Sequence, residues 1–242
     1  MRTHFVVHES FEAPGAYEDW ARARGHEIGH SRIHEGDALP ASADGIDLLI
    51  VMGGPQQPST TTEEYPYFDA AAETALIAAC IEADRAVIGI CLGAQLVGEA
   101  LGAAFDSSPH TEIGSFPVSL TAAGREHPFL AGVGDTFDTG HWHNDMPGLT
   151  EDATVLATSA GCPRQIVAYG RYVYGFQCHM EFTPACVDAL IAHSEKELAA
   201  LADRPDHPYV QQPDQLRAND YTAMNDRLAV FLDRLAADYA GR

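Results

Sequence analysis

Hydrophobic positions along the chain switch repeatedly between two periods. Phe5 to Val7 is a short apolar run that reads as a first strand, and Ala13 to Gly25 has helical spacing that stops at a glycine. His26 to Ile33 alternates apolar and polar residues, as a half-buried strand does. Ile46 to Met52 is almost wholly apolar, the mark of a strand covered on both faces, and Gly53, Gly54 and Pro55 break it. Tyr65 to Asp84 places Leu76, Ile77 and Ile81 at helical spacing. Ala86 to Ile90 is another buried strand, and from Leu92 the period turns helical again. From about Gly114 the texture changes. Short strand-like runs over Ser115–Leu120, Thr136–Thr139, Thr154–Thr158, Gln165–Tyr169 and Tyr172–Gln177 are separated by Gly, Pro and Asp turns. Helical spacing returns after Thr183, with Pro184 in the first turn. Arg204 to Asp214 reads as a linker, and Asp220 to Tyr239 as a last amphipathic helix.

Strands that alternate with helices predict an α/β fold: a doubly wound, mostly parallel sheet with helices on both faces. The expected division is a main domain over residues 1–200, followed by a linker and helical appendage over 201–242.

Composition narrows the function. Thirty-five acidic against 14 basic side chains give a net charge of -21, with Lys196 the only lysine. Such a charge repels nucleic acid and anionic lipid, so neither is expected as a partner. No apolar run approaches the ~20 residues of a membrane span. The N-terminus enters a strand at once, without the apolar segment of a signal peptide. Five cysteines, an odd number without a Cys-x-x-Cys spacing, fit a reducing cytoplasm. Cys80, Cys178 and Cys186 read as packing residues; Cys162 lies in a turn and has no assigned role.

Cys91 stands at the change of period, with Gly89 two residues before it and Gly93 two residues after. A sharp strand-to-helix turn needs small residues at those positions. It lifts the thiol above the sheet edge and onto a helix N-terminus, where the macrodipole favours thiolate. A base is available in His179, delivered by the apolar strand that begins at Tyr172. Glu181 follows two residues later, on the same face if the chain stays extended. A carboxylate orienting an imidazole that takes a thiol proton is the arrangement a nucleophilic cysteine requires. An oxyanion hole would use the N–H of Leu92 and one from the glycine loop at Gly54.

These segments together resemble the three signatures of class I glutamine amidotransferases, in order and in approximate separation: Gly89 to Gln95, Met52 to Pro55, and Gly175 to Glu181. The likeness extends over residues 1 to about 195. Met180 stands where the family usually has proline. The resemblance implies a Cys91–His179–Glu181 triad that releases ammonia from glutamine through a γ-glutamyl thioester, with Gln95 helping to hold the substrate. His141 to Asp145, read as a loop, resembles the pocket-lining segment of the guanylate-synthase branch. That places backbone at Trp142 and His143 beside the substrate, and Glu112 to Gly114 at the pocket edge. No synthetase domain is expected in the last residues. The resemblance therefore implies either a separate synthetase partner chain or action on glutamine or another γ-glutamyl compound by itself. No cofactor is expected, and the oligomeric state is not legible.

Two other readings compete. His141, His143 and Asp145 have the spacing of part of a zinc hydrolase signature, but Met146 replaces its final histidine, so no metal ligands are assigned. A non-catalytic binding module on the same fold is the other, and the intact Cys91, His179 and Glu181 argue against it.

Overall fold

The computed structural model describes residues 1–202 and 204–242. Asp203, inside the segment read as an appendage, lies outside the described residues. The N-terminal half alternates as the hydrophobic pattern predicts. Its elements are β1 (Arg2–Val7), α1 (Ala16–Ala23), β2 (Glu27–Arg32), β3 (Leu48–Val51), α2 (Ala70–Glu82), β4 (Ala86–Ile90) and α3 (Leu92–Ala100). The second half contains β5 (Asp106–Leu120), α4 (Ala122–Glu126), β6 (Thr136–Met146), β7 (Thr154–Ser159), β8 (Ile166–Gly170), β9 (Val173–Phe176) and α5 (Pro184–His193). It closes with α6 (Glu195–Leu201), β10 (Tyr209–Val210), α7 (Pro213–Ala218) and α8 (Thr222–Ala240).

The fold is α/β with a mostly parallel central sheet. The strand order is β10-β5-β7-β8-β9-β4-β3-β1-β2, and β6 pairs with β5 off this path. Strands β9, β4, β3, β1 and β2 run parallel. From β9 outward the sheet continues as antiparallel pairs through β8, β7 and β5. The C-terminal ends of β3, β4 and β9 therefore open on one edge, where open α/β sheets place their sites.

Alternation within the buried strands divides the core. Leu48, Ile50, Ile88 and Ile90 face α1 and α8, whereas Leu49, Val51 and Val87 face α2 and α3. This two-sided burial is why the strands read as unbroken apolar runs.

Four expectations change. The helix expected from Tyr65 begins at Ala70, because Asp69 caps it by accepting the Ala72 N–H at 3.0 Å. The strands expected over 115–120 and 136–139 extend to 15 and 11 residues as β5 and β6. Each supplies the other's hydrogen bonds, including across the polar stretch that showed no strand period. Residues His141 to Asp145 are consequently strand, not loop. Residues beyond 200 also build the body: β10 pairs with β5, and Leu228, Phe231, Leu232 and Leu235 of α8 are buried in the same core as Phe5 and Ile50. Trp20 and Arg24 of the α1 region both bond Asp233 of α8, at 2.7–2.9 Å. Among the described residues no helix is long and apolar enough to cross a membrane.

Candidate active site

At the end of β4 the chain turns straight into α3. Cys91 occupies the turn with φ 51° and ψ -110°. Among the described residues only Asp84 and Cys91 are non-glycine positions with positive φ. Such a conformation costs roughly 1–3 kcal/mol and persists only where its surroundings enforce it. The flanking glycines explain how it is enforced. A Cβ on Gly93 would strike the Val51 carbonyl of β3, and one on Gly89 would strike the Gly93 carbonyl. The turn is thus packed directly onto the neighbouring strand. The Cys91 N–H donates to the Phe176 carbonyl of β9 at 2.8 Å, which ties the turn to the next strand as well.

Three residues beyond β9 comes His179. Its Nδ1 lies 2.6 Å from Glu181 Oε1, and both side chains are buried. The ring stacks on Phe182, with centroids 4.5 Å apart. Nε2 makes no hydrogen bond of good geometry, and neither does Glu181 Oε2. Burial by itself would lower the His179 pKa. The charge of Glu181 and the nearby Cys91 thiol outweigh it and hold the imidazole well above its ordinary value. The Cys91 Sγ lies 3.7 Å from the Trp142 carbonyl of β6.

Cys91, Leu92, Gly54, Gln95, Trp142 and His143 all line one cleft of about 380 Å³, while His179 and Glu181 lie behind its wall. Leu92 is the first residue of α3, so its N–H has no intrahelical partner. The Gln95 amide donates to Gln177 Oε1 at 3.3 Å, and its own oxygen has no partner. The glycine loop after β3 is fixed from beneath. Buried His8 bonds the Gly53 carbonyl through Nδ1 at 2.9 Å and Glu73 through Nε2 at 2.8 Å. Burial opposes a charge on His8, but Glu73 wins and raises its pKa. 

Several cleft residues carry no sequence signature. Glu12, just before α1, sits over Gly53, so closely that a Cβ there would come within 2.8 Å of its carboxylate. Its pKa is pushed up to about 7, mainly by burial; His179 opposes the rise and Glu181 adds to it. Lys196, the only lysine, lines the outer cleft with His193 and Glu197. Its rarity was visible in the sequence, but its location was not.

Behind Trp142, Glu112, His141 and His143 each bring one donor atom within 4.8 Å of the others. Asp145, the third member of the sequence spacing, instead accepts a hydrogen bond from Gln57 at 2.7 Å on the cleft side. Burial pushes His141 down to about 3 and lowers His143 too. Burial would raise Glu112, but its bonds to His143 and Ser159 and the two imidazoles hold it below the ordinary carboxylate range.

Residues 20–194 match the profile of the glutamine amidotransferase class-I family. The chain belongs to the class-I glutamine amidotransferases. The glutamine amidotransferase-like protein YfeJ of Salmonella typhimurium is 57% identical over 235 residues, 97% of each chain. The crystal structure of SMU.1228c superposes with a TM-score of 0.95 at 48% identity, covering 98% of this chain and 100% of that one. The glutamine-hydrolysing GMP synthase of Phenylobacterium zucineum is 31% identical over 172 residues, 67% of this chain but only 30% of that enzyme. The general chemistry of the amidotransferase family is hydrolysis of the glutamine amide.

Proposed function

We propose that this amidotransferase hydrolyses the side-chain amide of glutamine, or of another γ-glutamyl compound, through a covalent thioester on Cys91. The observation that carries the reading is the pairing of a strained, cleft-lining Cys91 with a buried His179 whose Nδ1 is held by Glu181 and whose Nε2 is free. The Cys91 sulfur attacks the amide carbon after giving its proton to His179. Glu181 orients the ring and stabilises its charge. The N–H groups of Leu92 and Gly54 stabilise the oxyanion. His179 then protonates the leaving nitrogen, and ammonia or an amine departs. Water, giving a proton to the same base, attacks the thioester; the C–S bond breaks, glutamate leaves and the Cys91 thiol is regenerated. Gln95 and the backbone at Trp142 and His143 hold the amino-acid end of the substrate.

The cleft has little with which to hold a polyphosphate: Lys196 and His193 are opposed by Glu12, Asp145 and Glu197. An acceptor that needs nucleotide activation is therefore proposed to bind outside this cleft, as on a synthetase partner. The test is glutamate release from glutamine and from γ-glutamyl dipeptides, without nucleotide, by the wild type and by Cys91→Ala. Release that depends on Cys91 is expected. Equal release by the variant would refute the mechanism, and wild type inert toward every γ-glutamyl compound would favour a binding module.

A further inference from the structure

Strands β5 and β6 pair Glu112 directly with His143, and His141 lies two residues away on the same face. Gln165, just before β8, completes a group that is wholly buried: Glu112, His141 and Gln165 are 0% exposed and His143 is 4% exposed. Their facing atoms lie 2.7–3.8 Å from one another. His143 Nε2 is 3.3 Å from Glu112 Oε2, His141 Nδ1 is 3.8 Å from the same oxygen, and the two ring nitrogens are 3.4 Å apart. The Gln165 amide nitrogen lies 2.7 Å from that oxygen and 3.2 and 3.3 Å from the two rings. Four atoms thus mark the corners of a tetrahedron. A zinc ion about 2.0–2.1 Å from four N or O donors needs corners about 3.3–3.4 Å apart.

The group is poorly explained as a hydrogen-bond network. The amide at the fourth corner has two hydrogens. It faces the carboxylate, two ring nitrogens and the Ser159 hydroxyl at 2.9 Å. Its two hydrogens can serve Glu112 and one ring while the other ring donates to Glu112, but His143 Nδ1 is then left buried without a partner. Glu112 Oε1 and Gln165 Oε1 have no partner at all. His141 Nε2 lies 2.9 Å from the Thr139 hydroxyl and 3.3 Å from the Phe116 carbonyl; a proton on Nε2 serves the carbonyl and leaves the Nδ1 lone pair aimed at the group. A carbonyl behind the far nitrogen is how metal-binding imidazoles are held. Ser159 also donates to Glu112 at 2.8 Å, supporting the carboxylate from outside. A half-turn of the Gln165 amide exchanges its nitrogen for oxygen, giving two imidazoles, a carboxylate and a carboxamide oxygen.

We propose that Glu112, His141, His143 and Gln165 form a closed structural site for a divalent ion of the zinc type. All four positions are filled by protein, so the site offers no open position for substrate and does not compete with the cysteine chemistry. Its role is to lock β5, β6 and β8 together under the cleft. Strand β6 carries the Trp142 carbonyl that meets Cys91 and the Gly140 backbone that pairs with His179.

The test is metal content, read independently of activity. Protein carrying no polyhistidine tag is unfolded in chelator, refolded with zinc or with cobalt, and desalted. Expected are one zinc per chain by elemental analysis, the strong visible absorption of four-coordinate cobalt, and loss of the metal in Glu112→Gln and His141→Asn. Zinc absent from the refolded wild type would overturn the proposal. So would zinc held equally by folded variants, as an acidic surface would hold it, or the weak spectrum of six-coordinate cobalt. The wild-type spectrum decides the matter if the variants do not fold.

Discussion

Gly140 and His179 bond each other in both directions, N–H to carbonyl, at 2.9 and 2.7 Å. The imidazole proposed as base is therefore held by β6, a strand from another part of the sheet, as well as by its own segment. The two segments touch so closely that a Cβ on Gly140 would strike Phe182 and come within 2.8 Å of the His179 carbonyl. Gly140→Ala must push His179 and its stacked Phe182 aside. The expected result is a loss of about 1–3 kcal/mol in stability and roughly 10–100-fold in kcat for glutamate release. Denaturant unfolding and steady-state kinetics check it. An alanine variant with wild-type kcat would show that this contact does not position the ring.

Removing the proposed base and removing its proposed orienter are expected to have different consequences. His179→Ala deletes the proposed proton acceptor and is expected to lower kcat by several orders of magnitude. Glu181→Gln keeps the size of the side chain but loses the charge that holds Nδ1–H, and is expected to cost less, roughly 10²–10⁴-fold. Single-turnover kinetics, with thioester formation followed directly, separates the two. A Glu181→Gln variant as active as wild type would remove Glu181 from the triad.

Glu12 makes stability depend on pH in an unusual direction. Its pKa in the folded chain is about 7, against an ordinary 4.5, so the folded state binds its proton more tightly. Its contribution is favourable at low pH and is lost as pH rises from about 4.5 through 7. Glu12→Gln is therefore expected to stabilise the protein at pH 8, by on the order of 1–3 kcal/mol, and to change little at pH 4.5. Urea unfolding at the two pH values measures this. Equal destabilisation at both would show that the carboxylate is not held protonated by burial.

Helix α8 supplies core rather than decoration. Leu228, Phe231, Leu232 and Leu235 are at most 1% exposed. At ~1.5–3 kcal/mol for each buried side chain, their loss is comparable to the whole stability of an ordinary domain. Deleting residues 220–242 is expected to give a chain that lacks cooperative unfolding and is rapidly proteolysed. A truncated chain with a sharp thermal transition would mean that residues 1–219 fold without α8.

The sequence by itself determined the parallel half of the fold and the local geometry around Cys91 and His179. Buried strands there are continuous apolar runs, and Gly89 and Gly93 mark a turn that no larger residue allows. The pairing of His179 with Glu181 spans two residues, and spacing alone makes it readable. Only the tertiary structure decided what meets these segments from afar. The His141–Asp145 stretch has no strand period of its own; it becomes strand because β5 supplies its hydrogen bonds. That register brings Trp142 to Cys91, Gly140 to His179, and Glu112 and Gln165 to the two buried histidines. Glu12 enters the cleft across the glycine loop, and α8 enters the core through contacts more than 200 residues away in the chain, as between Trp20 and Asp233. The physical reason is the same in each case. Period and spacing specify which face a residue presents, but which strand pairs with which, and in what register, is settled only when the whole sheet closes its hydrogen bonds and buries its faces together.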